Sequence, residues 1–167
     1  MSPRAAWRLE SLGFSNVSDY VAGEADWLAF GLPTEGIQAN APRAGRVARG
    51  DAPTCDLTER VSDLHERMRA SGWDVCVVVN AEGIVLGRVR AAALDDATDP
   101  DQMVEAVMEA GPTTVRPSEP LDALVERMRH HNVASIIVST SDGRLLGVIR
   151  REDAEQWLAT SAGDRGA

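Results

Sequence analysis

Residues 121–153 read LDALVERMRHHNVASIIVSTSDGRLLGVIRRED, and residues 61–93 give the same pattern sixty positions earlier as VSDLHERMRASGWDVCVVVNAEGIVLGRVRAAA. The two stretches align without a gap, and Glu-Arg-Met-Arg recurs at 66–69 and 126–129. We call them the first repeat (61–93) and the second repeat (121–153). An internal repeat of this length predicts two copies of one supersecondary unit, related by approximate twofold symmetry.

Each repeat predicts a helix followed by two strands that a tight turn connects. The apolar residues of each helix fall at helical spacing: Val61, Leu64 and Met68 in the first repeat, and Leu121, Leu124, Val125 and Met128 in the second. Gly72 and Asn132 tolerate a left-handed backbone and are predicted to end these helices. The strands are predicted at 75–79, 84–89, 135–139 and 145–149, with a short strand before each helix at 54–57 and 114–117.

The composition is that of a folded, acidic protein. Hydrophobic residues make up 44% of the 167, and the net charge is −9. Nucleic-acid binding normally leaves a basic footprint, which this chain lacks. No stretch approaches the roughly 18 consecutive apolar residues of a membrane span, and the N-terminus has no signal-peptide pattern. We therefore expect a cytoplasmic protein that binds neither nucleic acid nor membrane.

The cysteines and histidines do not form a catalytic or metal-binding pattern. Cys55 and Cys76 are the only cysteines, too few for a disulfide framework, and Cys76 lies in an apolar run typical of a buried, unreactive thiol. His65 falls on a helical core stripe, where we expect a core-edge residue. His130 and His131 are adjacent and predict a solvated helix end. We predict no catalytic residue, no metal site and no enzyme activity.

Residues 1–33 predict a helix–strand–helix arm, with helices at 2–14 and 25–30 and a short strand at 16–20. Gly23, Trp27, Gly31 and Pro33 fit the ending G-x-x-x-W…G-L-P, so this stretch resembles the C-terminal part of a rhodanese-like domain. In that family the persulfide cysteine lies in the loop before this helix, and neither cysteine of this chain lies in such a loop. We therefore expect a packing arm without catalytic activity.

Two further stretches predict irregular structure. Residues 34–51 are rich in Gly, Ala and Pro and predict a linker. Arg43, Arg46 and Arg49 make it locally basic, either for solubility or to lie on an acidic face. Residues 160–167 predict a disordered tail.

The order β-α-β-β-α, given twice, resembles a pair of CBS (cystathionine β-synthase) domains. The residues that carry this resemblance are V-x-x-V-M at 104–108, T-V-R-P at 114–117 and D-G-R-L-L-G-V-I at 142–149. It implies an α+β fold of two β-α-β-β-α motifs in pseudo-twofold arrangement, with a first motif at 52–110 and a second at 111–159. It also implies a homodimer formed through these motifs, and an unidentified regulated protein as a partner. No cofactor is required, but AMP, ADP, ATP or S-adenosylmethionine are expected ligands.

The family's ligand fingerprint is Gly, two apolar residues, Ser or Thr, two variable residues and Asp. Residues 147–153 keep the aspartate as Asp153, with Arg150 at the hydroxyl position, whereas the first repeat has Ala93 in place of the aspartate. A carboxylate suits the ribose hydroxyls, and arginine suits phosphate. The resemblance therefore implies one binding site and one degenerate site. The binding site would comprise Thr114, Val115, Arg116, Pro117, Ala134, Ser135, Ile136, Arg150, Arg151 and Asp153.

Alternative interpretations remain for the central residues. Asp153 also fits a first-turn helix acid that the helix dipole favours. Arg90 and Arg150 also fit a symmetric structural pair, bonded to backbone or to acids across the pseudo-dyad. The functional hypothesis is a regulatory module that senses an adenosine-containing ligand. Its alternatives are a structural or dimerisation CBS protein without nucleotide binding and, more remotely, a sulfurtransferase.

Overall fold

The structure is a computed structural model that describes residues 2–20, 23–36, 41–97, 99 and 101–163. Its helices are α1 (Ser2–Ser11), α2 (Gly23–Ala29), α3 (Ala44–Val47), α4 (Val61–Ser71), α5 (Ala91–Asp95), α6 (Val104–Val107), α7 (Leu121–His130) and α8 (Arg151–Gly163). Its strands are β1 (Thr54–Cys55), β2 (Val75–Val79), β3 (Val85–Arg90), β4 (Glu109–Ala110), β5 (Thr114–Val115), β6 (Ser135–Ser139) and β7 (Leu145–Arg150). The fold class is α+β, as the sequence predicts.

Each repeat contributes one sheet of the same topology. The first sheet has the order β1-β2-β3-β4, and the second has the order β5-β6-β7. In both, the first strand pairs parallel with the second, which pairs antiparallel with the third. Thr54 pairs with Val77, and Thr114 pairs with Ile137. The strand registers are therefore offset by the same sixty residues as the repeats.

The two motifs meet at the turns that precede β3 and β7. Ile84 pairs there with Arg144, its own counterpart sixty residues later. The N–H of Val85 donates to the Gly143 carbonyl at 3.0 Å, and the N–H of Leu145 donates to the Gly83 carbonyl at 2.9 Å. Each bond becomes the other when the repeats are exchanged. The pseudo-twofold axis therefore passes between these turns.

The predicted apolar stripes are the cores of the two motifs. Leu64, Leu121 and Leu124 are completely buried. Gly72 caps α4 with a φ of 67°, and Asn132 has a φ of 50° just beyond α7, as predicted. A third buried cluster joins the motifs and comprises Ala52, Trp73, Val75, Val77, Ile137 and Val148.

The stretch predicted as a linker contains a helix and two strand-like bridges. The short helix α3 buries Ala44 and Val47 in the core of the second motif. In the same way, α6 buries Val104 in the core of the first. These helices are also sixty residues apart. The linker prediction therefore needs correction for residues 43–49, because the many small residues there conceal the helical pair Ala44 and Val47.

The N-terminal arm has two helices, and residues 16–20 between them form no strand. The strand prediction is wrong because no neighbouring strand is available there to bond the backbone. The rings of Tyr20 and Trp27 meet edge to face at 5.2 Å. Trp7 and Leu9 remain 67% and 42% exposed, so α1 presents apolar side chains to solvent.

At the C-terminus, α8 continues to Gly163. The tail prediction is therefore wrong for residues 160–163, which are helical, and residues 164–167 lie outside the described residues. Across the described ranges, no helix combines the length and apolar character that crossing a membrane requires.

Candidate functional site

Asp153 lies where β7 passes into α8. The strand ends at Arg150 and the helix begins at Arg151, which places Asp153 in the first helical turn. Its side chain is 30% exposed, and its Oδ2 lies 3.3 Å from Nη1 of Arg49. Within the described ranges, no hydrogen bond reaches its other oxygen, Oδ1. The carboxylate therefore keeps an acceptor that a ligand hydroxyl can use.

Arg49 reaches Asp153 because its backbone is bonded to β7. Its N–H donates to the Val148 carbonyl at 2.9 Å, and the N–H of Val148 donates to the Arg49 carbonyl at 3.0 Å. A Cβ at Gly147 would lie only 2.6 Å from the Arg49 carbonyl oxygen. The glycine of the predicted fingerprint therefore makes room for the segment that carries Arg49.

Arg49 also holds a second carboxylate, that of Asp51. Its Nη2 lies 2.6 Å from Oδ2 of Asp51, and its Nε lies 3.0 Å from Oδ1. The hydrogen bond from Arg49 holds the pKa of Asp51 below its usual range. The bonds to Asp51 and Asp153 raise the pKa of Arg49 above its usual value. Arg49 thus makes a bidentate contact with Asp51 and a longer, single contact with Asp153.

Arg150 stacks on Trp73, which belongs to the first repeat. Its guanidinium carbon lies 3.9 Å from the Trp73 ring centroid, and its Nη2 donates to the Gly72 carbonyl at 2.7 Å. The guanidinium carbon of Arg49 lies 5.2 Å from the same ring. The structural interpretation expected Arg150 to bond to backbone across the pseudo-dyad. The hydrogen bond to the Gly72 carbonyl of the first repeat agrees with that interpretation. We call the following residues the Asp153 cluster: Arg49, Asp51, Trp73, Arg150 and Asp153.

The corresponding place in the first motif has a different set of charges. Ala93 occupies the position of Asp153, and Glu109 occupies that of Arg49. Glu109 accepts two bonds from Arg88, at 2.7 and 2.9 Å, and lies 3.4 Å from Nη2 of Arg90. The hydrogen bond from Arg88 lowers the pKa of Glu109. The first motif therefore has an arginine–glutamate cluster. At the same place the second motif has Oδ1 of Asp153, which accepts no hydrogen bond from the residues that the structure describes.

A cavity of about 550 Å³ opens beside the Asp153 cluster. Its lining comprises Gly72, Asp74, Ala134, Arg150, Arg151, Glu152 and Glu155. In the part of the chain that the structure describes, no hydrogen bond or ion pair engages the Arg151 guanidinium. Its charge is therefore available to an anionic group. The volume lies within the range of small-molecule sites, and we call this space the arginine cavity.

One part of the predicted site is brought together here. Ala134, Arg150 and Arg151 line the arginine cavity, and the N–H of Arg151 donates to the Ala134 carbonyl at 2.8 Å. Ser135 pairs with Arg150 across the two strands. Asp153 follows Arg151 by two residues in α8, so the two side chains point to different faces of the helix. Asp153 lines a separate cavity with Gln156, Trp157, Thr160 and Ser161. The adjacent Ile136 pairs with Ile149 and is buried.

The other part, residues 114–117, runs towards the opposite end of the sheet. Thr114 accepts a hydrogen bond from Ser139 at 2.9 Å, and Nη1 of Arg116 donates to Ser139 Oγ at 2.8 Å and to the Thr140 carbonyl. Val115 pairs with Val138 and is buried. A five-residue strand spans about 13 Å, and β6 pairs with Arg150 at its other end.

Pro117 lies further from Asp153, beside Gly31 of the arm and Gly45. The structure therefore separates Arg116 and Pro117 from Asp153. The parallel pairing of β5 is the reason, because it carries the chain away from the end of β6 at which β7 finishes. Nη1 of Arg116 donates to Ser139 and Thr140 there, and its phosphate role stays a prediction.

Three members of the Asp153 cluster were not predicted: Arg49, Asp51 and Trp73. A signal for Arg49 exists in the sequence, because the repeat continues upstream of its predicted start. Residues 42–50 align with 102–110 at the same offset, which places Arg49 opposite Glu109. Extending the alignment would have placed Arg49 at the edge of β7.

The histidines lie away from this cluster. His65 Nε2 is 2.9 Å from Asp95 Oδ1 at the edge of the first core. His130 and His131 are exposed, and their rings meet edge to face at 4.9 Å. Among the described residues, no group of three His, Cys, Asp or Glu side chains is placed to hold a metal ion.

Comparison with known proteins supports the assignment of the repeats. The family model of the CBS domain matches residues 104–159. No curated protein matches the chain significantly.

Solved structures with the same fold include three of particular interest. The cytosolic domain of the Mg²⁺ channel MgtE, in complex with ATP, has 19% identity and a TM-score of 0.64 over 70% of this chain. The CBS domains of a transcriptional regulator from Streptococcus pneumoniae have 22% identity and a TM-score of 0.63 over 68% of this chain and 97% of theirs. A CBS domain pair in complex with 5′-methylthioadenosine and S-adenosyl-L-methionine has 15% identity and a TM-score of 0.63, over 72% of this chain and 98% of its own.

The chain spans 48% of the length of the MgtE domain. At these identities the structural likeness establishes the fold. The chain thus contains a CBS domain match at residues 104–159, and its two repeats have the fold of a CBS domain pair.

Proposed function

We propose that this chain is a regulatory module that senses an adenosine-containing ligand, such as AMP, ADP, ATP or S-adenosylmethionine, at one site beside Asp153. The observation that carries this proposal is the half-buried Asp153 carboxylate at the start of α8. It lines a cavity with Gln156 and Trp157, and the arginine cavity opens beside the same helical turn. Asp153 offers an acceptor for ribose hydroxyls. Two residues before it, Arg151 offers a guanidinium that no hydrogen bond or ion pair engages among the described residues, and that can bind an anionic group.

The chemistry divides naturally between these groups. Oδ1 of Asp153 would accept a hydrogen bond from a ribose hydroxyl. Oδ2 would either keep its hydrogen bond with Arg49 or exchange it for a second ribose hydroxyl. Arg151 would bind phosphate or carboxylate, with the stacked Arg150 as a fixed second charge. The adenine would lie in the arginine cavity, where Gly72 and Ala134 form part of the lining.

The asymmetry between the motifs supports a single site. The first motif has Ala93 in place of the carboxylate, and its arginines are held by Glu109. The solved neighbours support the ligand class, since their complexes contain ATP in one case and S-adenosylmethionine with 5′-methylthioadenosine in another.

A structural or dimerisation role without nucleotide binding is the second candidate. It is favoured by the contacts that already engage Asp153 and Arg150, namely Arg49 for the first, and Gly72 and Trp73 for the second. A sulfurtransferase role has no comparable support, because both cysteines are buried. We accordingly propose a non-enzymatic protein.

The remaining features of the proposal concern the chain's surroundings. We propose a cytoplasmic homodimer that forms through the CBS motifs and regulates another protein. We also propose that residues 1–33 are a packing arm of rhodanese-like origin, since Gly31 already contacts the second motif at Pro117.

A thermal-shift panel separates the two candidates. The melting temperature of the full chain is measured with AMP, ADP, ATP and S-adenosylmethionine, and with GMP and inorganic phosphate as controls. A ligand at a hundred times its Kd stabilises a protein by about 2.7 kcal/mol, which corresponds to a rise of roughly 5–10 °C for a chain of this size. At least one adenosine compound should produce such a rise, whereas phosphate alone should not. If every adenosine compound leaves the melting temperature unchanged, the structural role is the correct one.

A further inference from the structure

Cys55 and Cys76 face each other in the core of the first motif. They lie on the neighbouring parallel strands β1 and β2, and their sulfur atoms are 3.3 Å apart. Their exposures are only 5% and 0%, and both thiols are free. They are the only cysteines of the chain, so their contact places every thiol of the protein at one point.

We propose that Cys55 and Cys76 form a modification site, a thiol pair that peroxides convert to an intramolecular disulfide within the first motif. A disulfide has an S–S distance of about 2.05 Å. The two sulfurs must therefore approach by about 1 Å, which a small shift of one strand, together with side-chain rotation, supplies.

The edge position of β1 allows that motion. β1 has only two residues and is the first strand in the order β1-β2-β3-β4, so it has a single neighbour. Short edge segments open locally at low cost. When β1 opens, Cys55 is exposed first, while Cys76 stays on the central strand β2. The pair is therefore buried in the closed fold and accessible through a local opening.

Protonation adds a second reason for this order of events. The contact with the Cys76 thiol, and then burial, raise the pKa of the Cys55 thiol above its usual range. The thiolate is the reactive form. Oxidation in the closed fold is therefore slow, and the reactive species is the form in which β1 has opened.

The reaction with hydrogen peroxide balances as follows. The Cys55 thiolate attacks one peroxide oxygen, the O–O bond breaks, and hydroxide leaves as Cys55 becomes a sulfenic acid. When β1 closes, the Cys76 sulfur attacks the Cys55 sulfur, the S–O bond breaks and the second oxygen leaves. The two thiol protons convert both leaving groups to water. The two thiols lose two electrons in total, and the peroxide gains them.

The second motif supplies the matched control. At the sixty-residue offset, Cys55 corresponds to Val115 and Cys76 to Ile136, and both of these residues are buried in equivalent strands. Cys55→Val and Cys76→Ile therefore introduce side chains that this fold already accommodates. This asymmetry confines the proposed chemistry to the first motif.

The test is an intact-mass measurement on the full chain. Wild type and the Cys76→Ile variant are treated with hydrogen peroxide, denatured in N-ethylmaleimide and weighed. We expect the wild-type monomer to lose two hydrogens and take up no label. The disulfide would close a loop between residues 55 and 76, which should raise the melting temperature by roughly 5 °C or more. Dithiothreitol should reverse both the loss of mass and the rise in melting temperature. Cys76→Ile should show neither an internal disulfide nor a rise in melting temperature.

Three results would overturn the proposal. In the first, both cysteines of the folded wild type still react with N-ethylmaleimide after the peroxide treatment, although the same treatment forms the disulfide in the urea-denatured chain. The disulfide could join two chains instead of two strands. The bridge could form but lower the melting temperature, which would show that the native strands do not accommodate it. Each of these is read on wild type alone, so the test does not depend on a variant that folds.

Discussion

The Arg49 guanidinium contacts two carboxylates, and the two contacts differ in length and in the number of hydrogen bonds. It holds Asp51 through two atoms, at 2.6 and 3.0 Å, and Asp153 through one, at 3.3 Å. A ligand that takes Asp153 therefore leaves Arg49 anchored by Asp51. In the proposed complex, the Nη1 group that now bonds to Asp153 would be available to a phosphate group of the ligand.

Arg49→Gln tests this role through the charge of the ligand. We expect the affinity for ATP to fall by about tenfold, equivalent to about 1.4 kcal/mol, because one cation near the phosphates is lost. The affinity for adenosine should change much less. Isothermal titration with both ligands measures the difference, and equal losses for ATP and adenosine would show that Arg49 does not contact phosphate.

The residue scale is also where prediction from sequence succeeded least. Asp153 could be singled out from a local fingerprint, because its position after Gly147 is a matter of spacing. Trp73 could not, since it reaches the cluster through stacking contacts with residues far away in sequence. Arg49 could be found only by extending the repeat alignment upstream to residues 42–50. The resemblance to the CBS family also grouped Arg116 with Asp153, although β5 carries Arg116 towards the opposite end of the sheet.

At the scale of elements, the segment after α3 pairs with the last strand of the second motif, and the segment after α6 pairs with the third strand of the first. Both segments lie outside the repeats defined from the sequence. Arg49 pairs with Val148 and Glu109 pairs with Arg88. Each segment packs against a glycine: a Cβ at Gly87 would lie 3.1 Å from the Glu109 carbonyl oxygen, as one at Gly147 would approach Arg49. The two glycines therefore have the same steric purpose.

Gly147→Ala should separate the Arg49 segment from β7. Its Cβ would lie 2.6 Å from a backbone oxygen, which cannot rotate away, so we expect a loss of about 1–3 kcal/mol in the free energy of unfolding. Urea denaturation measures this loss. Gly50→Ala is the matched control, because nothing lies within 4 Å of a Cβ at Gly50. Equal stabilities of the two variants would mean that the close approach at Gly147 is not needed.

The helices and strands of the repeats were predictable because their signals are local. Leu121, Leu124 and Met128 recur at helical spacing, and all three are buried. The segment at 43–49 was not, because its pairing partners, Pro120 and Val148, belong to the second motif. Residues 16–20 were predicted as a strand, but none of the strands in the described part of the chain pairs with them.

At the scale of the molecule, a pseudo-twofold axis relates the two motifs, but the side chains at their equivalent sites differ. The reciprocal bonds around Ile84 and Arg144 join equivalent turns, whereas Asp153 and Ala93 make the two clefts different. The approximate symmetry was predictable from the repeat alone. Its consequence for assembly remains a proposal: a homodimer that forms through the motifs.

Light scattering on the full chain tests this assembly. We expect a mass of about twice the 17.9 kDa of one chain. Trp7 and Leu12 are exposed on the arm and are the competing association surface. The double variant Trp7→Ser, Leu12→Ser should keep the dimer mass if the motifs form the interface. A monomer mass for the variant would assign the dimer to the arm instead.

The carboxylate of Asp153 is best tested by titrating the adenosine ligand of highest affinity into wild type, Asp153→Asn and Asp122→Asn. Asp122 is the acid in the first turn of α7, so its substitution controls for the loss of a helix-dipole contact. Asp153→Asn should weaken binding by tenfold or more, about 1.4 kcal/mol or above, while Asp122→Asn leaves the Kd within about twofold of wild type. A Kd for Asp153→Asn equal to that of wild type would contradict a ribose-binding role for Asp153 and place the ligand elsewhere.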